Sequence, residues 1–189
     1  MAEVSEDPFW RIIKHKLITV SLGSGFVYCS YRYLPLPTPT VTHLSDHLLY
    51  ALKWQLPSVL LIYGSVIKVI LKRIQYDAHD PLKQLEDKAA ADTLEVHRRF
   101  LSNTIEQYVI NGPALLMLSL YLAPRQLKVI PLLVDLFVFG RITFLYGYLD
   151  PAKERSSRSF GFVMTFLPTG LVLGYVALCF CSDFLSALL

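Results

Sequence analysis

Four stretches of this chain, His47 to Leu71, Phe100 to Leu122, Leu127 to Leu149 and Phe160 to Phe180, are each apolar over enough residues to span a bilayer as helices. A hydrocarbon core roughly 30 Å thick takes about 20 helical residues. Each stretch is bounded by Pro, Asp or a cluster of Lys and Arg, and the second runs from Val109 to Ala123 without a charged side chain. Of the 189 residues 53% are hydrophobic and 17% charged, less charge than soluble domains carry. These blocks predict an all-α membrane protein. No loop exceeds about thirty residues and none is strand-like, which leaves no room for a soluble domain.

A fifth stretch, Leu17 to Leu34, is diluted by Ser21, Gly23, Ser24, Gly25 and Ser30 and ends in Arg32 and the turn sequence PLPTPT. Basic residues precede it, as in a cleaved signal peptide. Its bulky end, Tyr31 to Leu34, lacks the small residues of a cleavage site. It reads as an additional N-terminal helix, so residues 1–46 are expected to form a cytoplasmic segment, an extra helix and a loop, ahead of a four-helix domain over 47–189.

Lysine and arginine gather on the cytoplasmic side of membrane proteins. With five spans, Arg11, Lys14 and Lys16, then Lys72, Arg73, Lys83, Lys88, Arg98 and Arg99, then Lys153, Arg155 and Arg158 all fall on one side. The opposite side receives Arg32, Arg125 and Lys128.

Arg99, Asn103 and Glu106 are spaced i, i+4 and i+7, which stacks them on one helical stripe entering the membrane from the basic side. Glu106 lies roughly 10 Å deeper than Arg99. The third block approaches from the opposite direction, with Tyr148 at the mouth and Arg141 again roughly 10 Å deeper. Glu106 and Arg141 are therefore expected at one depth, paired or sharing a polar pocket, because a lone charge in lipid costs about 2.5 to 3.5 kcal/mol. Lys72 and Arg73 close the first block and Arg158 opens the last at the same mouth. Interhelical glue explains Asn103, Glu106 and Arg141 singly. The surrounding positive charge points instead to a pocket for a small anion.

These residues resemble the MAPEG family, the membrane-associated proteins in eicosanoid and glutathione metabolism, over about Ala51 to Val176. Arg99, Asn103 and Glu106 are similar to the family's Arg-x-x-x-Asn-x-x-Glu, Gly140-Arg141 with Tyr148 to its third-helix motif, and Arg158 with Pro168 to the start of its fourth helix. Asp80-Pro81-Leu82 resembles the loop after its first helix. The resemblance implies a homotrimer of four-helix protomers in the endoplasmic reticulum or another endomembrane, with glutathione bound in a bent form between neighbouring subunits near the cytoplasmic face. Arg99, Asn103, Glu106, Arg141 and Tyr148, with Lys72 and Arg73 at the mouth, would hold the tripeptide, and Arg158 would stabilise its thiolate. A guanidinium near the sulfur would lower the thiol pKa and make the nucleophile. The implied activity is glutathione transfer to, or peroxide reduction of, an apolar substrate arriving through the lipid.

The chain departs from the family at Leu101, Ser102 and Phe144, in the spacing of Arg158 from Tyr148, and in the extra helix. That helix resembles the arrangement of mattrin-type transmembrane proteins, which share the fold and act as regulators. The alternative function is accordingly a non-catalytic protein that binds or regulates a lipid or another membrane protein.

Cys29, Cys179 and Cys181 are expected to be small buried apolar residues, and His43 and His47 lack the carboxylate and thiol company of a metal site. Asp46 can cap the helix that follows. Lys68 can snorkel to the cytoplasmic surface. Asp135 carries no functional expectation. Phosphate-loop, nucleophile-elbow and nucleic-acid motifs are absent from the sequence.

Overall fold

The computed structural model describes residues 8–36, 43–78, 87–149 and 155–188, the side chains of 8–13, 15, 16 and 155–158 excepted. In chain order its helices are α1 (Pro8–Tyr33), α2 (Leu44–Trp54), α3 (Leu56–Gln75), α4 (Lys88–Tyr121), α5 (Val129–Leu149) and α6 (Arg155–Leu188), with a 3-10 turn at Pro124–Gln126. No strand occurs among the described residues. The protein is an all-α membrane bundle, as the apolar blocks predict.

Three stretches, Leu44–Gln75, Pro124–Leu149 and Ser159–Leu188, are long and apolar enough to cross a membrane. The remaining expected block, Phe100 to Leu122, forms the second part of α4, whose 34 residues reach about 51 Å. Buried Thr104, Gln107 and Asn111 dilute its hydropathy. Large apolar side chains cover the outside of the bundle, among them Tyr63, Leu171 and Leu178. In water that surface would be an aggregation hazard; in a bilayer it is the lipid face.

The first block is not one helix. Pro57 has no N–H to offer the Lys53 carbonyl, so the ladder is interrupted. Gln55 N–H bonds back to Leu52 at 3.1 Å, and α3 restarts with Val59 N–H on the Gln55 carbonyl, also at 3.1 Å. Helix α2 begins ahead of Asp46, which sits in its first turn instead of preceding it, and the Asp46 carboxylate reaches back to accept the His43 N–H at 2.9 Å. His47 Nδ1 bonds the Ser119 carbonyl at 2.9 Å and ties α2 to the end of α4.

Helix α5 occupies the centre. Its Ile130 and Val134, with Leu127 just before it, pack with Ala51 of α2, Ala114, Leu115 and Leu118 of α4, and Val172 and Val176 of α6 in one core. Its closest neighbour is α6, and the reason is local: a Cβ built on Gly161 would stand 2.5 Å from the Gly140 carbonyl oxygen and closer still to the Phe144 backbone nitrogen. Two backbones can approach this far only where side chains are missing. Helix α1 packs along α5 and α6.

The cysteines depart from expectation. Cys29 and Cys181 are exposed and Cys179 is half-buried, all three as free thiols. In lipid an apolar thiol needs no interior to be accommodated.

Candidate functional site

Helices α4, α5 and α6 meet along a polar seam. Arg141 of α5 is fully buried. Its Nη1 donates to Asn103 Oδ1 of α4 at 2.8 Å, and its Nη2 donates to Thr165 Oγ1 of α6 and, at 3.4 Å, to the Gly161 carbonyl. The guanidinium carbon stands 4.7 Å from the centre of the Phe144 ring, a cation–π contact. Deeper in the bundle Asn111 Nδ2 donates to Thr169 Oγ1 at 2.8 Å, and Thr169 in turn donates to the Thr165 carbonyl. Asn103 and Asn111 lie eight residues apart on one face of α4, and Gly161, Thr165 and Thr169 repeat every fourth residue on α6.

The remaining candidates point elsewhere. Arg99 is exposed and its Nε donates to Glu95 Oε1, one turn earlier, at 2.7 Å. Glu106 is also exposed, and it accepts from Ser102 Oγ at 3.2 Å. The expected Glu106–Arg141 pairing is therefore corrected: the arginine takes Asn103 and Thr165. Tyr148 packs edge-on against Phe144, ring centres 5.0 Å apart, and lies within electrostatic reach of Arg99. Lys72 bonds Gln75 Oε1 at 2.9 Å and stands 5.3 Å over the Tyr76 ring. Arg73 lies in the same last turn of α3. Arg158 falls in the first turn of α6, but its side chain lies outside the described residues, as do Asp80, Pro81 and Leu82.

The model of the MAPEG family matches residues 48–178. The chain belongs to the MAPEG family. The match takes in α2 to α5 and most of α6, leaving α1 outside. Transmembrane protein 79 from Bos taurus and from Mus musculus are each 28% identical over 142 residues, covering 75% of this chain and 34% of theirs. The chain thus spans about a third of the length of these curated relatives. No solved structure matches.

The MAPEG resemblance implies glutathione held between neighbouring subunits, and within one protomer the candidate residues divide into a buried group and an exposed one. Inside the protomer Arg141 Nη1 donates to Asn103 Oδ1, while the buried Arg141 Nε has no hydrogen-bond partner among the described residues. Arg99 and Glu106 remain exposed on α4, with neighbours on their own helix.

Three partners in the seam escaped the sequence reading: Thr165, the Gly161 carbonyl and the Phe144 ring. The signal that finds two of them is the repeat of small residues at Gly161, Thr165 and Thr169, opposite Gly140. Phe144 stood out only as a departure from the family pattern, and its ring proves to be the platform for Arg141.

His97, buried near the mouth, lines a cavity of about 480 Å³ between α3, α4 and α5 together with Lys68. Burial, then the charges of Lys68 and Lys72, hold its pKa below the ordinary 6.5. The unfolded chain consequently binds the proton more readily, so the contribution of His97 to stability is complete above 6.5 and is lost as pH falls through the folded pKa. Thermal unfolding between about pH 8 and pH 5 should show the midpoint falling on the acid side, and His97→Gln should flatten that slope. An unchanged slope in the variant would assign the acid sensitivity to other groups.

Proposed function

We propose that this MAPEG protein is a non-catalytic member of the fold that binds and regulates another membrane protein through the exposed face of α4. One observation carries the reading: Arg141, fully buried, bonds Asn103 and Thr165, so a cation the glutathione reading relies on is committed to holding α4, α5 and α6 together. The face left outside carries Arg99, Ser102 and Glu106. A carboxylate on a helix surface at the depth of an apolar segment is costly against lipid alone and is accommodated by a neighbouring chain. Similarity to Transmembrane protein 79, a name that assigns no reaction, supports the same reading.

Heating the purified protein in detergent with glutathione tests it. A ligand that binds only the folded state at 100 times its Kd adds about 2.7 kcal/mol, which for a chain of this size raises the midpoint by roughly 5 to 11 °C. The expected result is no shift at millimolar-order glutathione. A shift of several degrees would overturn the proposal in favour of a glutathione transferase or peroxidase for apolar substrates. That second reading rests on exposed Arg99, with Tyr148 in electrostatic reach of it, as the remaining tripeptide contacts, and on Arg158 as the thiolate-stabilising group. Under both readings we place the basic loops on the cytoplasmic side of an endomembrane and the protomer in a homotrimer, with 47–189 as the family domain and 1–46 as an accessory segment. The charge bias of the loops supports this orientation.

A further inference from the structure

We propose that the cleft between α1 and the α5–α6 pair binds one bilayer amphiphile with a single acyl chain and an anionic head. The inference goes beyond the function proposed above, since the cleft contains no residue of α4. The cavity measures about 400 Å³ and its walls are apolar: Gly23 and Val27 from α1, Leu133 and Leu136 from α5, Met164 and Leu171 from α6. All of the lining of α5 and α6 lies in stretches apolar enough to cross a membrane, so the medium that reaches the cleft is lipid. Along α1 the lining runs from Thr19 to Tyr31, an axial rise of about 18 Å. That length exceeds half of a hydrocarbon core of roughly 30 Å and suits a chain from one leaflet. Gly23 helps open it: the atoms nearest a Cβ at that position would be Met164 Cε at 3.8 Å and Leu136 Cδ1 at 3.9 Å.

The head group is argued from charge. At the Tyr31 end Lys128 Nζ donates to the Tyr31 carbonyl at 2.7 Å and stands 4.0 Å over the Tyr31 ring. An ammonium has three donors, so this carbonyl bond leaves two that can be shared with an anion. Arg32 follows Tyr31 on α1, Arg125 lies three residues before Lys128, and both are exposed. On the orientation given by the loops, these three are the cations of the side that positive-inside bias keeps poor in them. Their concentration next to one cleft mouth complements a carboxylate or phosphate head above an apolar tail.

The test uses the full chain in phosphatidylcholine nanodiscs with palmitate carrying a diazirine near its chain end, at mildly alkaline pH, and the matching long-chain alcohol as the uncharged arm. Photolabelling by palmitate is expected on peptides containing Val27, Leu133 and Met164, about fivefold above the alcohol. Gly23→Phe, which fills the cleft, should remove most of that label. Lys128→Gln should erase the preference for acid over alcohol while leaving labelling by the alcohol unchanged, and it decides the matter even where Gly23→Phe does not fold. Label spread evenly over the exposed leucines of α2, α3 and α6, or label insensitive to a folded Gly23→Phe, overturns the site. Equal labelling by acid and alcohol in the unaltered protein overturns the anionic head.

Discussion

Asn103→Leu is expected to destabilise the protein by about 3 kcal/mol, because it removes the amide oxygen that faces a buried guanidinium and leaves that charge short of a partner in a low-dielectric site. Arg141→Leu should cost less, about 1 to 3 kcal/mol, since the groups it strands, Asn103 and Thr165, are neutral. The double variant should then cost clearly less than the sum, with a coupling of about 1 to 3 kcal/mol. Glu106→Gln serves as the control. It sits on the exposed face of α4 bonded to Ser102, so its effect should add to that of Arg141→Leu within about 0.5 kcal/mol. Denaturation in detergent, followed by circular dichroism, measures the three single and two double variants. Additivity at Asn103 together with coupling at Glu106 would return the arginine to the partner that depth alone suggests.

Why depth alone misleads is a matter of side-chain reach. Glu106 and Arg141 start from Cα atoms expected at one level, but an arginine extends several ångströms from its Cα toward the more polar end of a helix. Asn103, one turn nearer the mouth, is where that reach ends. The stripe of Arg99, Asn103 and Glu106 was legible from spacing. Its tilt was not: at 3.6 residues per turn Asn103 and Glu106 diverge by about 60° around the helix, enough to send one inward and leave the other outside. Spacing places residues on a common stripe without saying which edge of it faces the neighbour.

Other features follow the same division between local and tertiary information. The helical blocks rest on patterns within a few residues, and each is helical in the structure with altered bounds: the first is split in two and the second starts at Lys88. Pro57 inside the first block is a local signal for the break at Gln55, outweighed in the sequence reading by the unbroken run of apolar residues around it. The cleft under α1 has no local signature. Gly23 dilutes a hydrophobic run when read alone and forms part of a cavity wall only once α5 and α6 lie across from it. Burial of the three cysteines was inferred from their chemistry, but a bilayer removes the penalty for placing a small apolar group outside.

Gly161→Ala is expected to damage the protein more than a methyl at Gly140 or Gly170. The added Cβ would meet the Phe144 backbone nitrogen and Cα and the Gly140 carbonyl oxygen, and none of these atoms can rotate away as a side-chain tip does. Helices α5 and α6 must separate to admit it. Separation also stretches the bonds from Arg141 to Thr165 and to the Gly161 carbonyl, so the seam weakens with the packing. Overpacking of this kind typically costs 1 to 3 kcal/mol, and a clash against two backbone groups belongs at the upper end, about 3 kcal/mol or a fall of roughly 6 to 12 °C in the unfolding midpoint for a chain of this length. Gly140→Ala should be milder, because its nearest backbone atom, the Gly161 carbonyl oxygen, stands at 3.1 Å, although the Thr165 methyl must shift. The informative comparison is Gly170→Ala on the same helix, where a Cβ has nothing within 4 Å. There the change should be neutral or slightly stabilising, since glycine is about 1 kcal/mol poorer than alanine in a helix interior. If Gly161→Ala unfolds at the same temperature as Gly170→Ala, then α5 and α6 do not approach at backbone contact, and the geometry that sets Arg141 against Thr165 falls with that contact.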